Sequence, residues 1–267
     1  GSTALGAVDR VDEVLSLKER YGLRVHVDGA YGGFFAMVGR DRQWAASLGI
    51  DPAPWEAMAS CDSVVVDPHK HGLQPYGCGA VLFADPGVAR HYTHNSPYTY
   101  YTAERSLHLG EISLECSRAG AAAAAFWLTL RVMPLGREGL GRVLSATRRA
   151  AMAWASLLES SDRLHLYQPP ELDIVAYFPD TVNGDLVAVD EASGRLFSEA
   201  MSAADPVFVS LLRVASADMR RRHGRFADAD ARREVRILRS VLMKPESEAC
   251  VPALVGRLEA LASGTAS

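Results

Sequence analysis

Apolar residues first recur at helical spacing near the start of the chain. Val8, Val11, Val14 and Leu15 share one face, with Asp12, Glu13, Lys18, Glu19 and Arg20 between them. This predicts an amphipathic helix that stops near Gly22. The texture then shifts to short apolar runs. Residues 23–27 lead into Asp28 and the turn formers Gly29, Gly32 and Gly33, which predicts a buried strand. A connection containing Trp and Pro reaches a helical turn at residues 55–59. Ser63–Val66 then predicts a strand stopped by Asp67 and Pro68, and residues 79–83 and 112–114 predict two more. Strands alternating with helical segments imply an α/β architecture with a largely parallel sheet.

The pattern changes from Ala119 onward. Ala121–Val132 predicts a helix halted by Pro134, and residues 139–159 a long helix with few breakers. Beyond it, strands are expected at 164–167, 174–178, 207–214 and 235–243, and helices at 191–203 and 246–261. This mixture predicts a second, smaller α+β domain, dividing the chain into residues 1–139 and 140–267. Neither an internal repeat nor a low-complexity linker is visible.

Composition narrows the class. In 267 residues, 48% apolar and 22% charged, the balance is that of an ordinary globular protein. A net charge of −4 gives no general attraction to nucleic acid or anionic lipid, so neither is an expected partner. No run approaches the roughly 18–20 apolar residues of a membrane span. Cys61, Cys78, Cys116 and Cys250 show neither a CxxC pair nor ligand spacing, which predicts buried thiols, no metal and a cytoplasmic protein. No secretory leader is visible. The opening GSTALGAVD, without Met, reads as a turn entering a helix, and the expectation is that the chain begins inside a longer product.

Only three of the 28 basic residues are lysines, so each can be judged singly. Lys18 lies on the polar face of the first helix and Lys244 precedes Pro245; both are expected in solvent. Lys70 follows a β-branched strand in Val64-Val65-Val66-Asp67-Pro68-His69-Lys70-His71-Gly72, where Pro68 stiffens the backbone and two imidazoles flank the amine. A lysine that attacks a carbonyl needs such a rigid, partly desolvated place. In His26-Val27-Asp28-Gly29-Ala30-Tyr31-Gly32-Gly33 a carboxylate leaves a strand into a turn of small residues, with room for a flat ligand on Ala30. Ligands of open α/β sheets bind outside the carboxyl ends of strands, where Asp28 and Lys70 both fall.

Together these segments resemble the pyridoxal-phosphate-dependent group II amino acid decarboxylases, which include the aromatic amino acid, glutamate and tyrosine decarboxylases. HVDGAYGG is similar to their HVDAAY(G/A)G, DPHKHG to their (N/D)PHK, and GSTALGAVD to their GTTxxGxxD. The resemblance covers the whole chain as the C-terminal portion of such an enzyme. It implies the aspartate aminotransferase fold (fold type I): the second half of the large cofactor domain, then the small domain. It implies pyridoxal 5'-phosphate as cofactor, an amino acid as substrate, and a homodimer with shared active sites.

Carried onto this chain, the resemblance implies that Lys70 forms the internal aldimine and that Asp28 pairs with the pyridine nitrogen, keeping it protonated as CO2 leaves. Ala30 would pack on the ring, Thr3 would bond near the ring hydroxyl, and Asp67 and His69 would lie by the phosphate. Asp67 replaces an Asn of many members, and a carboxylate beside a phosphate is unfavourable unless bridged or turned away. The segment from His91 to Tyr101, dense in aromatic and hydroxyl groups, is either a structural loop or similar to the family's mobile loop. In the second case Tyr98, 28 residues beyond Lys70, is the proton donor, with Tyr100 the alternative. A phenol suits the task because it keeps its proton near pH 7. Arg118 either binds the substrate carboxylate or the phosphate, or caps a helix. The basic run from Met219 to Arg225 is expected as a solvated turn.

Gly72, two residues past the lysine, is shared with sphingosine-phosphate lyase and with archaeal tyrosine/aspartate decarboxylases. This keeps a pyridoxal-phosphate-dependent carbon–carbon lyase as the alternative reaction. A non-catalytic partner chain is the alternative of another class.

Overall fold

The computed structural model describes residues 1–92, 120–181, 185–226 and 233–264. The first helix, α1 (Val11–Tyr21), ends where Gly22 takes a φ of 65° and donates its N–H to Lys18 O at 2.9 Å. That left-handed backbone favours glycine. β1 (His26–Gly29) and β2 (Ser63–Val66) pair in parallel, with Asp28 opposite Val65 and Gly29 opposite Val66.

β3 (Ala80–Phe83) runs antiparallel to β2. The first sheet is therefore mixed, which corrects the expectation of a largely parallel one. Parallel neighbours need a crossover, whereas residues 67–79 close successive backbone turns and bring the chain straight back. The stretch between β1 and β2 holds three short α-helices, α2 (Ala36–Gly39), α3 (Arg42–Ser47) and α4 (Ala53–Ala57). The first two escaped sequence reading because four to six residues are too few to establish a period. The Asp41 carboxylate caps α3 by accepting the Trp44 N–H at 3.0 Å.

After α5 (Ala121–Val132) and α6 (Leu140–Glu159) comes a second sheet of β4 (Leu164–Leu166), β5 (Ile174–Pro179), β6 (Ser210–Ala215) and β7 (Glu234–Val241). Its order is β4-β5-β7-β6 and every pairing is antiparallel. α7 (Leu186–Ser202), α8 (Ser216–Arg222) and α9 (Ser247–Ala262) complete the fold. β5 is buried on both faces. Val175 and Tyr177 meet Trp154, Leu158 and Val255, while Ala176 and Phe178 meet Leu186, Met219 and Ile237.

The core beneath the first sheet gathers Phe35, Val38 and Trp55. It also takes in Leu140 and Leu144 from the start of α6, and Leu172 and Ile174 at the entry to β5. The two sheets are thus tied together through residues 172–174.

Several smaller expectations change. Lys18 is not loose in solvent: its Nζ donates to Ser60 O at 2.8 Å and lies 3.0 Å from Asp62 Oδ2. Cys61 and Cys78 are buried but Cys250 is exposed, since it sits on the outer side of α9. The basic run is no simple solvated turn. Met219 is fully buried in α8, and the Arg222 and Arg225 guanidinium groups lie over Tyr167 and Phe226 at 5.3 and 5.1 Å. No described helix is long and apolar enough to cross a membrane.

Candidate active site

β1 delivers Asp28 at its end. The carboxylate Oδ1 accepts the Ala30 N–H at 3.0 Å, which closes the strand into a turn and leaves the side chain exposed. Glycine is needed on either side of that turn. A Cβ on Gly29 would stand 2.9 Å from Val65 O, and one on Gly33 2.7 Å from Val66 Cγ1. Asp28 and His26 open on a cleft of about 270 Å³ with apolar walls that include Val11, Trp55 and Met58. Ala30 is half-buried beside Asp28.

β2 ends at Val66 and passes into the turn that carries Asp67, His69, Lys70 and His71. The Lys70 N–H donates to Asp67 O and the Gln74 N–H to Pro68 O, each at 2.9 Å. The turn is tight enough that a Cβ on Gly72 would meet Pro68 Cα at 2.7 Å. Gly72 is therefore explained by packing within this turn and says nothing about the reaction. Lys70 Nζ lies 2.9 Å from Asp67 Oδ2, with His69 Nε2 3.6 Å from the same oxygen. His69 Nδ1 lies 2.7 Å from Cys78 O, and its ring packs 4.7 Å from Tyr76. The Asp67 carboxylate is turned onto the lysine of its own turn.

Because β1 and β2 are parallel, Asp28 and the Lys70 turn leave the sheet at the same edge. Gly1 lines the same cleft as Asp28, which brings the opening turn to that edge as well. Lys70, Asp67, His69 and Thr3 are not among the walls of the Asp28 cleft. Thr3 is exposed, and its carbonyl accepts a hydrogen bond from Arg239. Tyr98, Tyr100 and Arg118 lie outside the described residues, as does the strand expected at 112–114.

Sequence reasoning missed a buried polar cluster behind this edge. Tyr31 donates its hydroxyl to Asp173 Oδ1 at 2.5 Å, and His71 Nε2 lies 2.8 Å from Asp173 Oδ2. The Gly32 N–H donates to His71 Nδ1 at 3.3 Å, which leaves Nε2 as the nitrogen that donates to Asp173. His71 and Asp173 are 1% and 0% exposed. Burial alone would push the Asp173 carboxyl up. The hydrogen bonds donated by His71 and Tyr31 outweigh it and hold the group below the usual carboxylate range. Burial, then the Asp173 charge, pushes the Tyr31 phenol far up.

Two arginines reinforce the cluster. Arg148 is buried and donates to the carbonyls of Leu48 at 2.9 Å, Pro170 at 2.6 Å, Leu172 at 3.0 Å and Gly49 at 3.4 Å. Burial lowers its pKa from the ordinary arginine range. Arg239 of β7 donates to the carbonyls of Thr3 and, at 2.7 Å, Ala4. The available signal was Asp173 itself, a lone acid between Leu172 and Ile174.

The carboxyl edge of a parallel strand pair, with an acid on one strand end and an amine beyond the other, is the framework of a cofactor site in an α/β protein. The pyridoxal-dependent decarboxylase conserved domain matches residues 1–178, and the chain belongs to that family. Its cofactor is pyridoxal 5'-phosphate.

An L-tyrosine decarboxylase of Enterococcus faecium is 30% identical over 233 residues, 74% of this chain and 38% of that protein. A probable L-tyrosine/L-aspartate decarboxylase of Methanothermobacter thermautotrophicus is 33% identical over 181 residues, 66% of this chain and 45% of that protein. The crystal structure of Oryza sativa TDC with PLP and tryptamine superposes with a TM-score of 0.78 at 18% identity, covering 100% of this chain and 50% of that one. This chain thus spans half or less of the length of these relatives, and the structural likeness extends the shared fold across all of it.

The residues present fit the cofactor at two ends. Asp28 Oδ2 takes no hydrogen bond among the described residues and can receive a protonated ring nitrogen. Lys70 offers a primary amine on a turn whose geometry is fixed by backbone bonds.

Proposed function

We propose that the protein decarboxylates an L-amino acid to the amine and CO2, with Lys70 the amine to which the cofactor aldehyde is attached. The reading rests above all on one observation: Asp28 and the Lys70 turn leave neighbouring parallel strands at a common edge. Bound pyridoxal phosphate supplies an electron sink for the charge left on Cα when CO2 departs. Asp28 holds a proton on the ring nitrogen through a charge-assisted bond. Ala30 offers a small flat surface beside Asp28 that admits the ring. Asp67 orients the Lys70 amine, with His69 beside the same carboxylate oxygen. Thr3, on the opening turn, would bond near the ring hydroxyl. Tyr98, with Tyr100 the alternative, returns a proton to Cα, and Arg118 receives a carboxylate or phosphate. Residues 1–139 form the cofactor domain and residues 140–267 the small domain of a cytoplasmic homodimer with shared sites.

Borohydride reduction of the loaded protein followed by peptide mapping tests this directly. The adduct is expected on Lys70, and an adduct on Lys18 or Lys244 would overturn the assignment. Asp28→Asn should keep the fold and lower turnover by roughly 10-fold to 100-fold, since charge-assisted bonds are worth about 1.5–3 kcal/mol. Unchanged turnover would reduce Asp28 to a turn residue.

A further inference from the structure

We infer that Asp173 is a positioning residue that sets the Lys70 turn through His71, so that the second sheet holds the cofactor-bearing lysine in place. This rests on the reading of Lys70 as the cofactor's attachment point and adds to it how the lysine is held.

The turn from Asp67 to Gln74 closes on itself by backbone bonds, and its side chains diverge in two directions. The Lys70 amine lies on Asp67 at the sheet edge. The next side chain, His71, is driven into the protein, where its ring packs edge-on against Tyr31 and Phe35 at 4.6 and 5.3 Å. Its Nε2 meets Asp173 Oδ2 at 2.8 Å. Asp173 belongs to the segment entering β5, and its backbone carbonyl accepts the Leu242 N–H at 2.9 Å just past β7. The lysine's neighbour is therefore bonded to a residue fixed by two strands of the other sheet.

The other oxygen of the same carboxylate accepts the Tyr31 hydroxyl from the turn that follows Asp28. One buried acid thus sets the distance between the two turns that carry Asp28 and Lys70. Packing strengthens the constraint, because a Cβ on Gly32 would stand 2.6 Å from Leu172 Cδ1, so the Tyr31–Gly32 turn rests directly on the segment that presents Asp173. A shifted arrangement would leave a buried carboxylate without its donors, which is costly. Small displacements of a reacting group are also costly to function, since about 1 Å of misplacement can lower a rate roughly a hundredfold.

The experiment uses the full-length protein loaded with pyridoxal 5'-phosphate. Two quantities are read: the rate of cofactor loss into cofactor-free buffer, and the fraction of Lys70 trapped by borohydride. Asp173→Asn keeps the side-chain volume but supplies one acceptor oxygen where two donors need one each. Cofactor loss should speed up roughly tenfold or more, with less Lys70 trapped. Ile237→Ala, in a fully buried part of the second sheet away from the cluster, serves as a variant with a comparable fall in Tm. It should lose cofactor at the parent rate.

Tyr31→Phe leaves the His71–Asp173 bond in place but strips the buried carboxylate of its other donor, so it should lower Tm while its cofactor loss stays slower than that of Asp173→Asn. Equal cofactor loss in Asp173→Asn and Ile237→Ala would make Asp173 merely structural and overturn the inference. Loss in Tyr31→Phe as fast as in Asp173→Asn would overturn the route through His71. If the parent carries no adduct on Lys70, the proposed function and this inference fall together, whereas a parent adduct with unaffected variants removes the inference alone.

Discussion

Two helices meet opposite fates, and the more apolar of them is the more exposed. In α6 the face carrying Leu144, Ala151, Trp154 and Leu158 is fully covered, whereas α5, with Phe126, Trp127, Leu128 and Leu130, contains no buried residue. The sheets repeat the contrast. All of β5 is buried, while Val81, Leu82 and Phe83 of β3 are exposed. Hydrophobicity alone does not account for either pair, since α5 is the more apolar helix and the less buried one. The difference is what packs on them: α6 and β5 find full cover among these 267 residues, whereas α5 reaches the first core only through partly buried residues such as Phe126 and Leu130, and the described surroundings of β3 leave its apolar side chains bare. The second sheet thus carries the tight packing, and the turns with the candidate chemistry ride on the more open one.

The contrast can be broken most forcefully at tryptophan. Trp154→Ala in α6 should lower unfolding stability by about 3–5 kcal/mol. Trp127→Ala in α5, 64% exposed, should change it by roughly 0.5 kcal/mol or less. Denaturant melts of both variants measure this, and equal losses would mean that α5 is covered in solution.

Glycines sharpen the comparison at the turns. Gly72→Ala puts a Cβ against Pro68 and should cost about 1–3 kcal/mol while loosening the lysine turn. Gly256→Ala, in α9 with open space around it, should instead gain roughly 0.5–1 kcal/mol from helix propensity. Thermal unfolding of the pair reads both signs.

Leu82→Ser on the bare strand should shift stability by no more than about 0.5 kcal/mol and reduce self-association in light scattering. Unchanged scattering would show that this face does not drive association.

The smallest expected effect is a pH dependence in the second unit. Burial holds the His223 imidazole below its ordinary range, only partly offset by its contact with Tyr167 O at 3.1 Å. The unfolded chain then takes up this proton more readily than the folded one. Stability should decline as pH drops below about 6.5, the unfolded-state value, and level off below the folded-state value. In His223→Gln that part of the slope should vanish from melts recorded across the window.

Much of this was legible in the sequence where local chemistry decides the outcome. Ser63–Val66 ends at Asp67-Pro68 because proline stops the strand ladder, and Ala121–Val132 is bracketed by Gly120 and Pro134, so both were bounded correctly. The Asp28 and Lys70 turns stood out for the same reason, since glycine and proline mark where backbone sterics leave few choices. The direction of β3 was not legible, because it depends on whether residues 67–79 form a helix or a series of turns. Nor was the partnership of His71 with Asp173, two residues 102 positions apart that only tertiary packing brings together. α5 was read as a helix correctly, but its exposure depends on neighbours that periodicity does not encode.

Arg239 carries a consequence for the order of assembly. The three turns at the sheet edge are complete by Gly72, yet the groups that pin them come much later along the chain. Asp173 follows His71 by 102 residues, and Arg239 follows Ala4 by 235. Contacts this distant must pay loop closure before they return any stability, so they form late. On the ribosome the opening turn stays unpinned until β7 has emerged and paired with β5 and β6. Completion of the sheet edge then becomes one of the last events of folding, and a chain halted before residue 239 would display its lysine turn without the strand that holds the opening turn.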